Sequence, residues 1–448
     1  MKSLKIKSGW LPESGLRMDA SYHLGDGPIS KVKLKKSPFK MTTLEAASVD
    51  IFKGNIFKRC YVNSPEKGYP FLSPSDMMKA DINGGKYVSK KYTDTANLLL
   101  KKGWILVSRS GTLGNVVYTN DEFEGMVGSD DLIRILPNNK NVLGGYLYAY
   151  LASKYGYALL TQSSYGGVVK HIEPHHIKNL SIPIMPDEKQ KEIHDLIVQA
   201  SELRVEANGY LKEAHNIIEK EIQFTNSKFN CRVSINELMS SHQKRFEANY
   251  YAEGKKIISE IQKANHITLK DSCKTIFRPG IFKRHYVENG IEFLGGSDIV
   301  KSIPSSEKKL SIKKTSHLAD MQVKENWILV TCGGTIGYSV IVNEYLAGKT
   351  ASQHILRIIA EKIRPGYLFA FLSSDIGLKA IQSYTYGSVI PQIEPHHLER
   401  LPIPLIKEET MECINDIIMK YKKKSGLAIL LELKAINLIE KEIESWQE

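Results

Sequence analysis

Cysteine is scarce and unpaired in this chain. The five cysteines among 448 residues, Cys60, Cys231, Cys273, Cys332 and Cys413, form no CxxC pair and are odd in number. That argues against a disulfide framework or a zinc ribbon and fits a reducing cytoplasmic setting. Long apolar runs are also missing. No stretch approaches the roughly 18 residues that a membrane span requires, and no apolar segment follows the basic start MKSLKIKSGW, so no signal peptide and no membrane partner are expected. Catalytic signatures are equally thin. AGKT at 347–350 has Asn343 where a phosphate-binding loop needs its first glycine. PDEKQK at 186–191 has the wrong carboxylate spacing for a metal nuclease. There is no GxGxxG, no NPPY-like methyltransferase motif, and no Ser/His/Asp set shared by the two halves. No catalytic residue, metal or cofactor is expected on this chain.

What is present is positive charge and repetition. The formal net charge is +12 and the sequence pI about 9.1, which favours a polyanionic partner, nucleic acid first. At 42% apolar residues, the chain can build packed cores. IEPHH occurs at 172–176 and again at 393–397. Other pairs keep the same order: IFKGNIFKRCYV (51–62) with IFRPGIFKRHYV (276–287), WILVSRSGTLGNVV (104–117) with WILVTCGGTIGYSV (327–340), and GYLYAYLAS (145–153) with GYLFAFLSS (366–374). RMDASY (17–22) and RFEANY (245–250) are a weaker pair. The chain is a tandem duplication of a unit of roughly 220 residues. The cysteines do not repeat: Cys60 faces His285 and Cys332 faces Arg109.

Each unit reads as a β-rich globular part and a long helix, an α+β design. WILVS and WILVT run into glycine turns as strand–turn–strand, and LIRIL (132–136) and ILRII (355–359) are further strands. GYLYAYLAS and GYLFAFLSS read as helices. Pro174 suits the first turn of a short helix that leads to an extended exit, SIPIMP. In the long helices a heptad seam runs through Ile193, Leu196, Ala200, Leu203, Ala207, Tyr210, Ala214 and Ile217. The second runs through Ile414, Ile417, Tyr421, Lys424, Ala428, Leu431, Ala435 and Leu438. The expected organisation is a β-rich globular domain over 1–185, a helix over 186–228, a second such domain over 229–406 and a second helix over 407–448. The two helices are expected to pair as an antiparallel coiled coil with pseudo-two-fold symmetry. About 38 residues at 1.5 Å each make a rod of about 57 Å.

The repeated polar residues suit nucleic acid. Lys53, Lys58 and Arg59, then Arg278, Lys283 and Arg284, alternate with apolar residues. Ser108, Arg109, Gly111, Thr112 and Gly114, then Thr331, Gly334, Thr335 and Gly337, offer hydroxyls and backbone N–H groups on tight loops able to hold phosphate oxygens. The same glycines read equally as plain hairpin turns. Tyr165 and Lys170, with Tyr386 and Gln392, come from a polar loop ahead of IEPHH. For IEPHH itself a structural role is preferred to phosphate contact, and a metal role is disfavoured because adjacent histidines diverge by about 100° on a helix. Glu173, just before a proline, is expected to face outward. Base reading is expected where the units diverge, as in 77–100 and 299–322.

An Arg-x-Asp-Ala-like start, a WILVSRSGTLG turn, an S-x-x-h-h-R strand (h, hydrophobic), a Y-G…I-P-I-P exit and a heptad helix, all repeated, resemble the specificity subunit of Type I restriction-modification systems. The resemblance spans essentially the whole chain; its start is weaker here, and residues 1–16 have no clear counterpart. It implies two target recognition domains reading the halves of a bipartite site on double-stranded DNA. It also implies two adenine-methylating modification subunits carrying S-adenosylmethionine, and restriction subunits using ATP and magnesium where these exist. The alternatives are the specificity subunit of a Type II system with a fused methylase-nuclease, a protein-interaction scaffold, and a nuclease.

Overall fold

The computed structural model describes residues 8, 18, 23, 25–83, 85–111, 113–162, 171–222, 232–240, 250–386 and 391–446. The chain divides into two compact units, residues 1–205 with 427–448, and residues 206–426. Among the described residues, no helix is long and apolar enough to cross a membrane.

In unit 1, α1 (Asp26–Leu34) precedes β1 (Met41–Thr43), β2 (Ser48–Lys53), β3 (Tyr61–Val62), β4 (Gly68–Leu72), β5 (Tyr87–Ser89), β6 (Ile105–Ser108), β7 (Val116–Tyr118), β8 (Val127–Gly128) and β9 (Leu132–Pro137). Then come α2 (Gly144–Ala152), α3 (Lys154–Gln162), α4 (Pro174–Ile177), β10 (Ser181–Pro183) and α5 (Asp187–Ile222). An antiparallel sheet has the order β2-β9-β6-β7, a mixed sheet in which β4 and β8 run parallel has the order β3-β5-β4-β8, and β1 pairs with β10. Side chains alternate across the first sheet. Ile105, Val107, Ile133 and Ile135 join the core under α2 and α3, whereas Leu106 and Leu132 join a smaller cluster with Leu72, Met77 and Leu100. Both faces are therefore covered.

Unit 2 repeats the plan with α6 (Lys255–Lys263), β11 (His266–Thr268), β12 (Cys273–Phe277), β13 (Tyr286–Leu294), β14 (Lys309–Leu310), β15 (Ile328–Gly333), β16 (Thr335–Ile341), β17 (Thr350–Ala351) and β18 (Ile355–Ala360). After these follow α7 (Pro365–Ser373), α8 (Asp375–Ser383), α9 (Pro395–Leu398), β19 (Pro402–Pro404) and α10 (Glu408–Ser445). The orders β12-β18-β15-β16 and β11-β19 match their unit 1 counterparts, while β14-β13-β17 has three strands because the long β13 takes the places of both β3 and β4. The strands, short helices and extended exits expected from sequence all form where they were placed.

Helix α2 is buried from Gly144 to Leu151, as a helix apolar all round must be. Its tyrosines still find acceptors. Tyr146 donates to the Pro183 carbonyl at 2.6 Å and Tyr150 to that of Ser181 at 2.7 Å, tying the exit strand down. Tyr367 repeats the first bond, to Pro404 at 2.7 Å. Gly145 has no room for a side chain, since a Cβ there would stand 2.8 Å from His194 Nδ1. Its N–H donates to that nitrogen at 2.9 Å.

Within each unit, segments of the two long helices run side by side in opposite directions. In unit 1, Lys189 pairs with Glu442 and Arg204 with Glu432. In unit 2, Lys424 pairs with Glu206, and Lys420 lies 5.8 Å from the Tyr210 ring. The buried edge is rotated by one residue from the seam read in the sequence. Ile193, Ala200, Ala207 and Ala214 are buried as expected, but their neighbours on that edge are Ile197 and Ile218. Leu196, Leu203, Tyr210 and Ile217 are half-buried flankers. The second helix agrees. Ile414, Ala428 and Ala435 are joined by Ile418, Glu432 and Ile439, and Tyr421, Leu431 and Leu438 stand at the side; Ile417 is buried. The physical reason is that two seam positions are charged. Arg204 and Glu432 occupy places that a hydrophobic count passes over in favour of Leu203 and Leu431. Tyr148 completes the arrangement by donating to Glu432.

Replacing Glu432 by Ala strands Arg204 and the Tyr148 hydroxyl, and is expected to destabilise unit 1 by about 2–4 kcal/mol. The apolar triple change Arg204→Leu, Glu432→Leu, Tyr148→Phe is expected to be neutral or stabilising. Urea unfolding of the two variants distinguishes them.

Candidate nucleic-acid interface

In both units the end of the first long strand and the loop beyond it carry the basic residues. In unit 1, β2 ends at Lys53, and Gly54 lets the chain pass close to the core, where a Cβ would lie 2.7 Å from Leu98. Phe57 then anchors the loop edge-on to Phe71 at 6.3 Å. Arg59 lies over the same ring at 5.4 Å and donates to Asp130 at 2.7 Å and to the Ser129 hydroxyl at 3.2 Å. Lys58 is exposed, and Ile56 is 83% exposed at the loop tip.

Glu173, the acid of the first IEPHH, gathers the remaining cations. Lys53 reaches it at 3.1 Å and Arg109 Nε at 3.0 Å, and Arg109 also donates to Asp131 at 2.9 Å. Burial opposes ionisation of Glu173, but hydrogen bonds from Arg109 and Lys53 outweigh it and hold the carboxyl below its usual range. Glu173 therefore faces inward, against expectation: a carboxylate beside two cations gains more there than in water. Three cations, Lys53, Arg59 and Arg109, meet three carboxylates, Asp130, Asp131 and Glu173.

Unit 2 keeps the frame and changes the charges. Arg278 pairs with Glu394 at 2.9 Å, and Tyr386 donates to the same carboxylate at 3.0 Å. Gln392 exchanges backbone bonds with Tyr386 at 2.8 and 3.0 Å, and the Gly334 N–H donates to the Pro391 carbonyl. Arg278, Tyr386 and Gln392 are thus brought together beside Gly334. Arg284 stacks on Phe293 at 5.5 Å as Arg59 does on Phe71, yet it has no carboxylate partner among the described residues. Lys283 is exposed and Ile281 is 88% exposed. Cys332 stands in place of Arg109; it is buried, its Sγ donates to the Gln353 carbonyl at 3.9 Å, and burial pushes its thiol up to about 11. On matching positions unit 1 sets Lys53, Lys58, Arg59 and Arg109 against Asp130, Asp131 and Glu173, whereas unit 2 sets Arg278, Lys283 and Arg284 against Glu394, the larger positive excess.

Several expected phosphate ligands belong to the frame instead. Ser108 and Thr331 are buried, and their hydroxyls accept from the Asn115 and Tyr338 N–H groups at 3.1 Å, bracing the hairpin. Gly114 and Gly337 adopt φ of 78° and 90° and pack against α3 and α8, where a Cβ would meet Thr161 and Leu378. These four serve the turn. Gly111, Gly334 and Thr335 remain exposed at its tip. Thr112, Tyr165 and Lys170 lie outside the described residues. The second histidine of each IEPHH caps a helix: the Glu173 and Glu394 N–H groups donate to Nδ1 of His176 and His397 at 3.1 Å. Among the described residues, no group of three His, Cys, Asp or Glu converges as metal ligands do.

Residues missed by sequence reasoning are Asp130, Asp131, Glu173 and Glu394, and the fully buried Arg134 and Arg357. Their signal was present. Arg134 and Arg357 end the repeated S-x-x-h-h-R pattern, and burial lowers both guanidinium groups to about 10.

The model of the Type I restriction modification DNA specificity domain matches residues 49–213 and 262–435. No curated protein matches. Solved structures similar to the chain include the S subunit of a Type I restriction-modification system from M. genitalium, 14% identical, covering 92% of this chain and 94% of that one with a TM-score of 0.33. The HsdS subunit from Thermoanaerobacter tengcongensis is 12% identical, with 91% and 97% covered and a TM-score of 0.30. A chain from a type I R-M system solved for its complex assembly and conformational transition is 11% identical, with 92% and 97% covered and a TM-score of 0.28.

The charge difference gives a graded expectation. Arg284→Ala removes a cation with no carboxylate beside it and should lower duplex DNA affinity, flattening the slope of log K against log salt by about 0.9. Arg59→Ala also frees Asp130 but removes a cation already neutralised, so its own slope change should be less than half as large. Salt-dependent binding titrations of both variants read the difference.

Proposed function

Since the chain belongs to the Type I restriction modification DNA specificity family, we propose that it is the addressing subunit of a restriction-modification complex. Each unit reads one half of a bipartite site on double-stranded DNA. The observation that carries this reading is the duplicated basic cluster. In both copies a cation at the strand end (Lys53, Arg278) and an arginine stacked on phenylalanine (Arg59, Arg284) flank an exposed isoleucine. Cations on a rigid frame hold phosphates, and the apolar tip and neighbouring polar groups meet the bases.

The paired helices set the separation of the half-sites as a coiled coil and dock the other subunits. Two modification subunits would bring S-adenosylmethionine and methylate adenine, and restriction subunits, where present, would bring ATP and magnesium. The chain itself supplies position rather than chemistry, in the cytoplasm.

Co-expression with a methyltransferase encoded beside it, followed by genome-wide mapping of methylated adenines, tests this. A single two-part motif with a constant gap is expected. Methylation without a gapped motif, or a purified complex indifferent to duplex DNA at low salt, rejects it.

A further inference from the structure

The duplication lets the molecule be compared with itself at a single loop. Ser129-Asp130-Asp131-Leu132 in unit 1 corresponds to Ser352-Gln353-His354-Ile355 in unit 2. The backbone is held identically in both. Ser129 and Ser352 donate to the Leu72 and Leu294 carbonyls, each at 2.9 Å. Their hydroxyls accept from the Asp131 and His354 N–H groups at 3.1 and 3.2 Å. The Asp131 and His354 carbonyls receive the Arg109 and Cys332 N–H groups. From beneath, Arg134 donates to the carbonyls of Ser129, Leu132, Gly128 and Leu98. Arg357 donates to those of Ser352, Ile355, Ala351 and Met321. All four acceptors correspond one to one.

On this common frame the two residues after the serine have changed chemistry completely. Asp130 and Asp131 can only accept hydrogen bonds when ionised, whereas Gln353 and His354 offer both donors and acceptors. The carboxylates do not hold the loop, because unit 2 keeps its geometry without them. Gln353 has a further peculiarity. It is 7% exposed, and its Oε1 has no hydrogen-bond partner among the described residues. A buried acceptor left empty is costly unless something fills it. In unit 1 the loop adjoins the stacked arginine, since Arg59 bonds Asp130; in unit 2 burial, with the charges of Arg284 and Arg278, disfavours protonation of His354.

We propose that Asp130–Asp131 and Gln353–His354 contact base edges and make the two half-sites different. This rests on the DNA-recognition reading above. Carboxylates match the amino groups of cytosine or adenine, and a glutamine amide matches the paired N6 and N7 of adenine. The buried arginines act as positioning residues that keep each pair in place.

The test uses the full chain co-expressed with its methyltransferase, with methylated adenines mapped genome-wide. Asp130→Gln with Asp131→His should change one half of the motif, leave the other half and the gap intact, and lower methylation of the original motif about 10–100-fold. Gln353→Asp with His354→Asp should change the opposite half. An unchanged motif with methylation within about two-fold of wild type in either folded double variant, or both variants altering the same half, overturns the proposal. Should a double variant fail to fold by thermal melting, the near-isosteric Asp131→Asn and Gln353→Glu are read by the same criteria. If the wild-type complex itself yields no two-part motif, it is the DNA-recognition reading that has failed, and that outcome is visible before any variant is made.

Discussion

One buried arginine organises the strand ends and adjoining loop of each unit, Arg134 in unit 1 and Arg357 in unit 2. Arg134 and Arg357 have no exposed surface and no carboxylate partner among the described residues. Each guanidinium is solvated by four backbone carbonyls instead. Removing a cation from water costs several kcal/mol even after relaxation, and the lowering of both groups to about 10 registers that cost. They stay charged near neutral pH, so the carbonyls must remain converged around them. Those carbonyls come from β8 or β17, from the loop after it, from the first residue of β9 or β18, and from the segment at Leu98 or Met321. One side chain thereby fastens the second sheet to the first, and the loop carrying Asp130 or Gln353 is held as a consequence.

The clamp separates what must stay from what can vary. Serine, two hydrophobic residues and arginine hold the backbone in both units, whereas the two residues between differ, Asp130 and Asp131 pairing with Arg59 and Arg109 in unit 1 only. The same separation holds around IEPHH, where the acid collects cations, the second histidine caps the helix and the proline starts it. The cations themselves are exchangeable: Lys53 becomes Arg278, and Arg109 is replaced by a buried cysteine. Two units with one frame thus differ in local charge, with the larger positive excess in unit 2.

The helices show a different asymmetry. In unit 1 the seam contains Arg204 and Glu432, with Tyr148 bonded to the acid. The corresponding residues in unit 2 are Ser425, Leu211 and Phe369, and Phe369 stacks on Tyr421 at 5.8 Å instead. A charged group inside an otherwise apolar seam is satisfied only when its partners are opposite. Such a group adds little net stability but penalises a shifted register.

The amino-acid sequence alone determined the duplication, the order of strands and helices, and the basic character of the loops. Each depends on local periodicity, turn residues or direct repetition. Lys53, Arg59, Arg278 and Arg284 could be singled out because basic residues recurred in matching places. The tertiary structure decided which polar groups face one another. It turned Glu173 inward, gave the Ser108 and Thr331 hydroxyls to a hairpin, moved the seam by one residue and paired Arg59 with Asp130 across 71 positions. These outcomes turn on balances between desolvation and partnering, which depend on distances between residues far apart in the chain. Hydrophobic counting assigns a charged residue to the surface, and Arg134, Arg204, Arg357 and Glu432 are the places where a buried partner reverses that assignment.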